Sequence, residues 1–423
     1  MVGLSVELVA CTNSCLEIRY FLRDFFSMSY LLRRIFHTTF TMYSSARYLT
    51  ILSATSQIPL VVSGSASYNS NAVTAANTLQ TFYNHTSGLW STTGWWNSAN
   101  CVTALADLTK VDNDISIVTG AVWPNTFVQA QKYNLNQLRT VPGATMSTNY
   151  YSSAQTETVQ PNGFLNSFYD DEGWWALAWI SVYDLTKESQ YLDAAVNIFN
   201  DMASTGYNAT CGGIWWNKSH SANVAIANEL FMSVAAHLAN RAPNAQYYLS
   251  WAMRQWTWFQ DSGLINSNYN INDGLNLTTC QNNNSTVWSY NQGVILGALV
   301  ELNTAAPNTS YLSVAQSIAS AAIAKLSDAN GILHDPYEPN LGADGGQFKG
   351  IFVRNLQILQ QATGNSEYRA YLESNAQSIW TNGRNQTTNM IGPVWSGPPY
   401  SNLSSAATQS SGLDALVGAA AVQ

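Results

Sequence analysis

The chain has 423 residues, of which only 10% are charged and 12% are aromatic, and its formal net charge is −8. This length is enough to bury a large hydrophobic core, while the acidic balance offers no basic patch for phosphate groups and so argues against a nucleic-acid partner. Many aromatic rings and few charges suit a neutral, hydroxyl-rich ligand, because rings stack on it while amides hydrogen-bond to it.

The N-terminal part of the chain predicts a targeting segment. Residues 42–66 have the pattern of a signal peptide, with Arg47 ahead of an apolar run and a small-residue cleavage site. Residues 1–41 carry charges within their apolar run, which disfavours a membrane span there. They predict a non-native or disordered extension, with a genuine cytoplasmic tail or anchor as the alternative. Residues 67–423 are the predicted domain, and no stable membrane span is expected in the mature chain.

Beyond residue 70, helical periodicity alternates with loops rich in Gly, Asn and Pro. Amphipathic segments, typical of helices with one solvent-facing side, are 72–84, 124–133, 189–204, 244–260, 310–327 and 366–381. Segments that are apolar on almost every side are 95–108, 171–185, 222–239, 289–302, 348–361 and 406–421. Because a helix that is apolar all round is buried, the alternation predicts six outer helices paired with six inner ones. The expected fold class is therefore all-α, a single (α/α)6 barrel.

The cysteines and sequons both fit a secreted chain. Cys211 and Cys280 lie in Gly/Asn-rich loops and predict a disulfide, whereas Cys101 lies in an apolar helical pattern and predicts a buried free thiol. Repeated N-x-S/T sequons favour the secretory route, which predicts an extracellular or cell-wall-associated location. No C-x-x-C motif or histidine cluster indicates a metal, so no metal or other cofactor is expected.

The segment "FYDDEGWWALAWI", residues 168–180, opens one of the predicted inner helices. It places Asp170 beside Asp171, although adjacent carboxylates repel and resist the loss of water. Glycoside hydrolysis needs two carboxyl groups, one ionised and one protonated, and close contact between them would separate their pKa values. Nearby indoles would enhance that separation. Helix capping and the helix dipole are the alternative explanation, and the pattern alone leaves both open.

The loops before the inner helices should meet at one face of the ring, and their aromatic and amide residues predict a sugar-binding cleft. The candidate substrate-binding residues are Trp95, Trp96, Asn97, Tyr169, Trp174, Trp175, Trp215, Trp216, Asn223, Trp288, Tyr290, Asn291, Gln292, Gln347 and Lys349. A tryptophan in a helical protein is more often part of the core, a buried amide can instead bond to backbone, and Lys349 can instead pair with a carboxylate. Asp273 and Asp344 stand next to glycines and predict turns.

Several longer motifs carry a family resemblance. They include "FYDDEGWWALAWISVYDLT", "CGGIWWN", "WSYNQGVILGALVEL" and "ATQSSGLDAL", in an order that extends over about residues 70–421. The chain resembles glycoside hydrolase family 76, the endo-α-1,6-mannanases, and particularly its fungal branch. The resemblance implies an (α/α)6 barrel and a retaining mechanism without a metal. It also implies that Asp170 is the nucleophile and Asp171 the acid/base.

The expected function is a secreted retaining endo-glycosidase that hydrolyses α-1,6-linked mannan or mannooligosaccharides by double displacement. Two alternatives stay open. A cell-wall mannan transglycosidase would use the same covalent intermediate but pass it to a sugar hydroxyl. A non-catalytic mannan-binding protein would keep only the cleft, and the intact Asp170 and Asp171 argue against it.

Overall fold

The computed structural model describes residues 5–11, 15–21, 65–115, 119–133, 136–137, 150–151 and 163–423. The chain divides into two units, Met1–Leu60 and Val61–Gln423. In the first unit, strands β1 (Ser5–Cys11) and β2 (Cys15–Phe21) form an antiparallel hairpin.

The sequence did not indicate this hairpin, and the interpretation of residues 1–41 as an extension stays a prediction. Most of the predicted signal peptide, residues 42–64, lies outside the described residues. The first described helix begins at Ser65, seven residues before the predicted position 72. Its first two turns, "SASYNSN", are too polar to show helical periodicity, which is why the pattern missed them.

The second unit is an (α/α)6 barrel whose inner helices follow one another around a closed ring. The inner helices are α2 (Trp95–Val111), α4 (Tyr169–Thr186), α6 (Ala225–Ala239), α8 (Ser289–Ala305), α10 (Phe348–Thr363) and α12 (Ala406–Ala421). Each inner helix packs against the next, and α12 closes the ring by packing against both α2 and α10. The predicted fold class is confirmed.

The outer helices pack on the outside of this ring. They are α1 (Ser65–Gln80), α3 (Val122–Gln129), α5 (Ser189–Thr205), α7 (Ala245–Asp261), α9 (Thr309–Leu326) and α11 (Ser366–Ser378). Short hairpins decorate the loops: β3 (Tyr83–Asn84) with β4 (Leu89–Trp90), β5 (Asn136–Gln137) with β6 (Tyr150–Tyr151), and β7 (Leu275–Asn276) with β8 (Gln281–Asn282).

Burial explains the two kinds of sequence pattern. In α6, "AIANELFMSVAA", residues 225–236, is buried at every position, as its apolar character on all sides predicts. In α5, by contrast, the buried residues recur at helical spacing, so that one face of the helix packs on the ring. Alternation between these patterns therefore encodes the two layers of the barrel.

Glycines let the inner helices approach one another closely. A Cβ atom on Gly173 of α4 would lie only 2.8 Å from the Cβ of Leu230 of α6. A Cβ on Gly350 of α10 would lie 2.5 Å from the Cα of Ser411 of α12. Any larger residue at these positions would push the ring apart.

One buried ion pair ties three inner helices together. The Arg354 Nη1 of α10 lies 3.2 Å from the Asp414 Oδ1 of α12, and its Nη2 donates to the Asn100 Oδ1 of α2 at 2.7 Å. Burial raises the pKa of Asp414 to about 7, against the opposing effect of Arg354. We refer to Asn100, Arg354 and Asp414 as the arginine cluster.

The cysteine predictions are confirmed: Cys211 and Cys280 form a disulfide, and Cys101 is a buried free thiol. The disulfide connects the loop before α6 to the hairpin of β7 and β8. Within the described parts of the chain, no helix is both long and apolar enough to cross a lipid bilayer.

Candidate active site

Three consecutive acids occupy the first turn of α4, and all three are buried. Each of them faces a different partner. The Trp216 Nε1 donates to the Asp170 Oδ2 at 3.2 Å, and the Asn166 Nδ2 donates to the Asp171 Oδ2 at 2.9 Å. The Lys218 Nζ lies 2.8 Å from the Glu172 Oε1. The turn therefore directs the three carboxyl groups apart, as side chains about 100° apart on a helix must be.

The contacts of Glu172 are those of a residue that stabilises the fold. Besides Lys218, it accepts a hydrogen bond from the backbone N–H of Asn166 at 2.8 Å. Burial raises the pKa of Glu172 well above its ordinary value, although Lys218 opposes this shift. Lys218 also pairs with Asp201 of the outer helix α5, at 2.9 Å. Glu172 thus anchors the start of α4 through its contacts with Asn166 and Lys218.

Neither Asp170 nor Asp171 serves as the N-cap residue of α4. That position is Phe168, whose side chain makes no cap hydrogen bond. The two aspartates nevertheless lie in the first turn, where the helix dipole favours negative charge. Neither aspartate is therefore the N-cap residue itself, whereas the helix dipole remains the alternative explanation for the doublet.

The loop before α6 brings Trp216 to the first acid. The backbone N–H of Tyr169 donates to the carbonyl of Trp216 at 3.0 Å, and Phe168 forms an isolated β-bridge with Asn217. The disulfide at Cys211 fixes the other end of this loop. The position of the indole beside Asp170 is therefore set by backbone pairing, which the sequence pattern could not show.

Aromatic rings from four inner helices form a row that includes Trp174, four residues after Asp170 in α4. The ring centroids of Trp174 and Trp96 are 5.6 Å apart, those of Trp96 and Phe348 are 6.4 Å apart, and Phe348 stacks on Tyr290 at 3.9 Å. Trp288 contacts the edge of Phe348 at 5.5 Å. The predicted residues of α2, α4 and α8 are thus brought together, and Phe348, which the sequence did not single out, joins them.

Two aspartates predicted to be turn residues have side-chain partners in this region. The Trp96 Nε1 donates to the Asp344 Oδ1 at 2.8 Å. The Asn291 Nδ2 donates to the Asp273 Oδ1 at 2.9 Å, and the Tyr290 hydroxyl lies 3.4 Å from the same atom. The sequence predicted only turns at these two residues. An Asp next to a Gly gives no local sign of a distant side-chain partner, so these contacts could not be predicted.

Other candidates lie in the protein core or bond to backbone. Trp95 and Trp175 pack with Phe164 in an aromatic core cluster, and the Trp95 Nε1 donates to the carbonyl of Ala130. The side chain of Gln292 donates to the carbonyl of Ile271 and accepts from its N–H. These side chains hold the barrel and its loops together.

The remaining candidates have partners within the protein. Asn97 accepts from the N–H of Gly94, the Tyr169 hydroxyl donates to Thr205, Trp215 stacks on His220, Asn223 donates to the carbonyl of Gly212, Gln347 donates to Ser410, and Lys349 pairs with Glu338. Lys349 thus pairs with a carboxylate, which was the alternative to a sugar contact. A role of these residues in sugar binding stays a prediction.

The sequence reasoning also missed Glu229, a fully buried acid in the second turn of α6. Burial, with Asp273 adding to it, raises the pKa of Glu229 well above its ordinary value. A signal for it did exist, since Glu229 is the one acid in the run "AIANELFMSVAAHLA". Among the described residues, no group of three or more His, Cys, Asp or Glu side chains is arranged to hold a metal ion.

An (α/α)6 barrel with a buried carboxyl pair and aromatic rings near the starts of its inner helices suits a glycoside hydrolase, a class of enzyme that acts with two carboxyl groups. The sequence profile of glycosyl hydrolase family 76 matches residues 67–423. The chain belongs to this family.

Individual relatives agree with this assignment. The chain is 28% identical over 185 residues to a mannan endo-1,6-alpha-mannosidase, DCW1, of Candida glabrata, a match that covers 40% of each chain. The match therefore spans well under two thirds of that relative's length.

Solved structures show the same fold. The α-1,6-mannanase GH76A of Salegentibacter sp. HEL1_6, as an inactive variant with two consecutive aspartates changed to asparagine and bound to α-1,6-mannotriose, has a TM-score of 0.69 at 20% identity, covering 84% of this chain and 100% of that one. Dfg5 of Chaetomium thermophilum, in complex with glucosamine, has a TM-score of 0.68 at 17% identity, covering 84% and 90%.

Proposed function

We propose that this protein is a secreted retaining endo-glycosidase that hydrolyses α-1,6-linked mannan. The observation that carries the proposal is the pair Asp170 and Asp171, buried side by side in the first turn of α4 but held by different partners. The α-1,6-mannanase of Salegentibacter is inactive when two consecutive aspartates are replaced. That finding supports a catalytic role for the doublet in this chain.

The proposed reaction has two steps. In the first, a carboxylate oxygen of Asp170 attacks C1 of the mannosyl residue, the bond from C1 to the glycosidic oxygen breaks, and Asp171 gives its proton to that oxygen. In the second, Asp171 takes a proton from a water molecule whose oxygen attacks C1, and the Asp170 carboxylate leaves. Two inversions at C1 restore the α configuration.

The hydrogen bond from Trp216 fixes the orientation of the Asp170 carboxyl group, which the proposal assigns as the nucleophile. Trp96, Trp174, Tyr290 and Phe348 are aromatic residues of the kind that stack on sugars, and in this structure their rings are buried and stack on one another. A neutral substrate matches this lining better than an ionic one.

Secretion is supported by the predicted signal peptide and by exposed sequons. Asn84, Asn276 and Asn308 are exposed, so a glycan could be attached there without disturbing the barrel. Asn208 and Asn217 are buried, and their sequons should remain unmodified in the folded protein.

The test is incubation with linear α-1,6-mannooligosaccharides, following product size and the anomer released first. We expect shorter oligosaccharides that begin as the α-anomer, and Asp170→Asn should lower the rate by roughly 10⁴-fold or more. A first product in the β configuration, or an Asp170→Asn variant as active as the wild type, would contradict the mechanism. Products longer than the substrate in the presence of an acceptor sugar would indicate transfer of the same intermediate to a hydroxyl.

A further inference from the structure

The second turn of α6 contains a buried acid that the reaction above does not use. Glu229 is 0% exposed, and neither of its carboxyl oxygens has a hydrogen-bond partner in the described parts of the chain. Burying a polar group without a hydrogen bond is costly, and burying a charge is more costly still. The other positions from Ala225 to Ala236 in α6 carry mostly apolar or small residues, so a methionine or leucine would fill this one without that cost.

The backbone contacts of α6 locate Glu229 relative to Asp273. The N–H of Ala225, the first residue of α6, donates to the carbonyl of Asp273 at 2.9 Å. Glu229 follows Ala225 by four residues, so it lies on the same face of the helix and one turn further into the barrel. The Asp273 carboxylate is itself held by Asn291 at the start of α8.

The contact between α4 and α6 gives the depth of Glu229 relative to the reactive pair. Gly173 of α4 lies against Leu230 of α6, the residue next to Glu229. Gly173 is in turn three residues after Asp170, which is about one helical turn. Glu229 is therefore about one turn deeper than Asp170, on the neighbouring inner helix, and both residues are equally closed to solvent.

We propose that Glu229 is a further substrate-binding residue, whose carboxyl group hydrogen-bonds to hydroxyl groups of the sugar held at Asp170 and Asp171. A carboxylic acid has both a donor and an acceptor, which matches the hydroxyl group, itself a donor and an acceptor. A sugar would thus supply the hydrogen bonds that the protein does not provide. This inference rests on the proposed function, because it takes the acidic doublet as the place where the sugar binds.

Two variants separate binding from packing. Glu229→Met keeps the approximate volume but removes both hydrogen-bonding atoms, and Glu229→Gln keeps a neutral donor and acceptor. We expect Glu229→Met to lower kcat/KM on α-1,6-mannooligosaccharides by about 10- to 100-fold, because the sugar hydroxyls lose their partners. Its melting temperature should equal or exceed that of the wild type. Glu229→Gln should remain within about threefold of wild-type kcat/KM.

Ser233→Ala is the matched control, because Ser233 is buried one turn further along the same helix and lies next to His237. It should leave kcat/KM unchanged. Wild-type kcat/KM in Glu229→Met would overturn the inference. So would an equal loss of activity in both Glu229 variants with a lower melting temperature, since that pattern indicates a structural role.

Calorimetric binding of α-1,6-mannotriose distinguishes failure of this inference from failure of the proposed function. If the wild type cleaves the substrate and Glu229→Met cleaves it equally well, only the role of Glu229 is wrong. If the wild type binds without cleaving, and Glu229→Met weakens binding by 10-fold or more as the same lost hydrogen bonds would, the hydrolase proposal fails and the inference stands. A wild type that neither binds nor cleaves contradicts both.

Discussion

Two buried acidic groups in the barrel interior differ in whether the protein supplies partners for them. In the arginine cluster, Arg354 lies between Asp414 and Asn100, and each of these groups has a partner on a neighbouring inner helix. In the second turn of α6, Glu229 has no hydrogen-bond partner among the described residues, and Asp273 adds to the effect of burial in raising its pKa. A satisfied cluster holds helices together, whereas an unsatisfied acid destabilises the fold and is best explained by a ligand.

The largest effect on stability should come from removing the cation of the arginine cluster. Arg354→Met leaves Asp414 buried without its partner and should lower the free energy of unfolding at pH 8 by about 3–5 kcal/mol. Chemical denaturation measures this change. The kcat/KM of the protein that remains folded should be unchanged, in contrast to Glu229→Met, where activity falls and stability does not.

The pH dependence of this loss sharpens the contrast. Without Arg354, the pKa of Asp414 in the folded state rises further above its unfolded value, so the folded state holds the proton more tightly. With Arg354 present the pKa of Asp414 is already about 7, so the wild type and the variant lose stability alike up to that pH. The extra loss in the variant develops as the pH rises above about 7 towards its own higher folded-state pKa. The deficit should therefore be smaller at pH 5 than at pH 8, and Arg369→Met, at an exposed position, should show neither effect. A deficit that does not change with pH would mean that Asp414 is not the group left unpaired.

A smaller effect on the free energy of unfolding is expected for a partly exposed group of ion pairs near the C-terminal ends of the inner helices. Glu301 of α8 pairs with Arg241 at 2.9 Å, and Arg241 also pairs with Asp184. Burial opposes the charge on Glu301, but His237 and Arg241 outweigh it and lower its pKa to about 2. Ionised Glu301 thus contributes stability above its unfolded pKa of about 4.3, and this is lost as the pH falls towards 2.

Glu301→Gln should accordingly reduce the free energy of unfolding at pH 7 by about 1–2 kcal/mol, since water screens part of the interaction. The difference from the wild type should shrink as the pH is lowered to about 2, as measured by urea denaturation over that range. Glu367→Gln, which changes an exposed glutamate, is the control. An equal deficit at pH 7 and at pH 2 would show that the pairing of Glu301 is not the cause.

The sequence could predict features that follow from a local pattern, but not side-chain partners that are distant in the chain. The inner helices were predictable because an all-apolar helix has one physical outcome, which is burial, and the disulfide was predictable because its two cysteines lie in loops. The partners of Asp170, Asp171 and Glu172 were not, because Trp216, Asn166 and Lys218 reach them through loops whose pairing depends on the folded barrel. The arginine cluster was missed because its three residues lie far apart in the sequence, on three different helices.

Glu229 is the instructive exception. An acid in an apolar run contradicts the local pattern, and conflicts of this kind are expected at functional or strained sites. Asp273, by contrast, agreed with the local pattern of a turn, so its contact with Asn291 gave no sign in the sequence. A violated pattern is visible in a single sequence, whereas a long-range contact that satisfies the pattern is not.

The most direct measurement is to trap the covalent intermediate. Asp171→Asn, incubated with an aryl α-1,6-mannobioside whose leaving group needs no proton, should react once and then hydrolyse slowly, because the base for the second step is missing. Intact mass spectrometry should show the addition of one mannobiosyl unit, and peptide mapping should place it on Asp170. An adduct on another residue, or β-configured product with no adduct, would contradict the assignment of Asp170 as nucleophile.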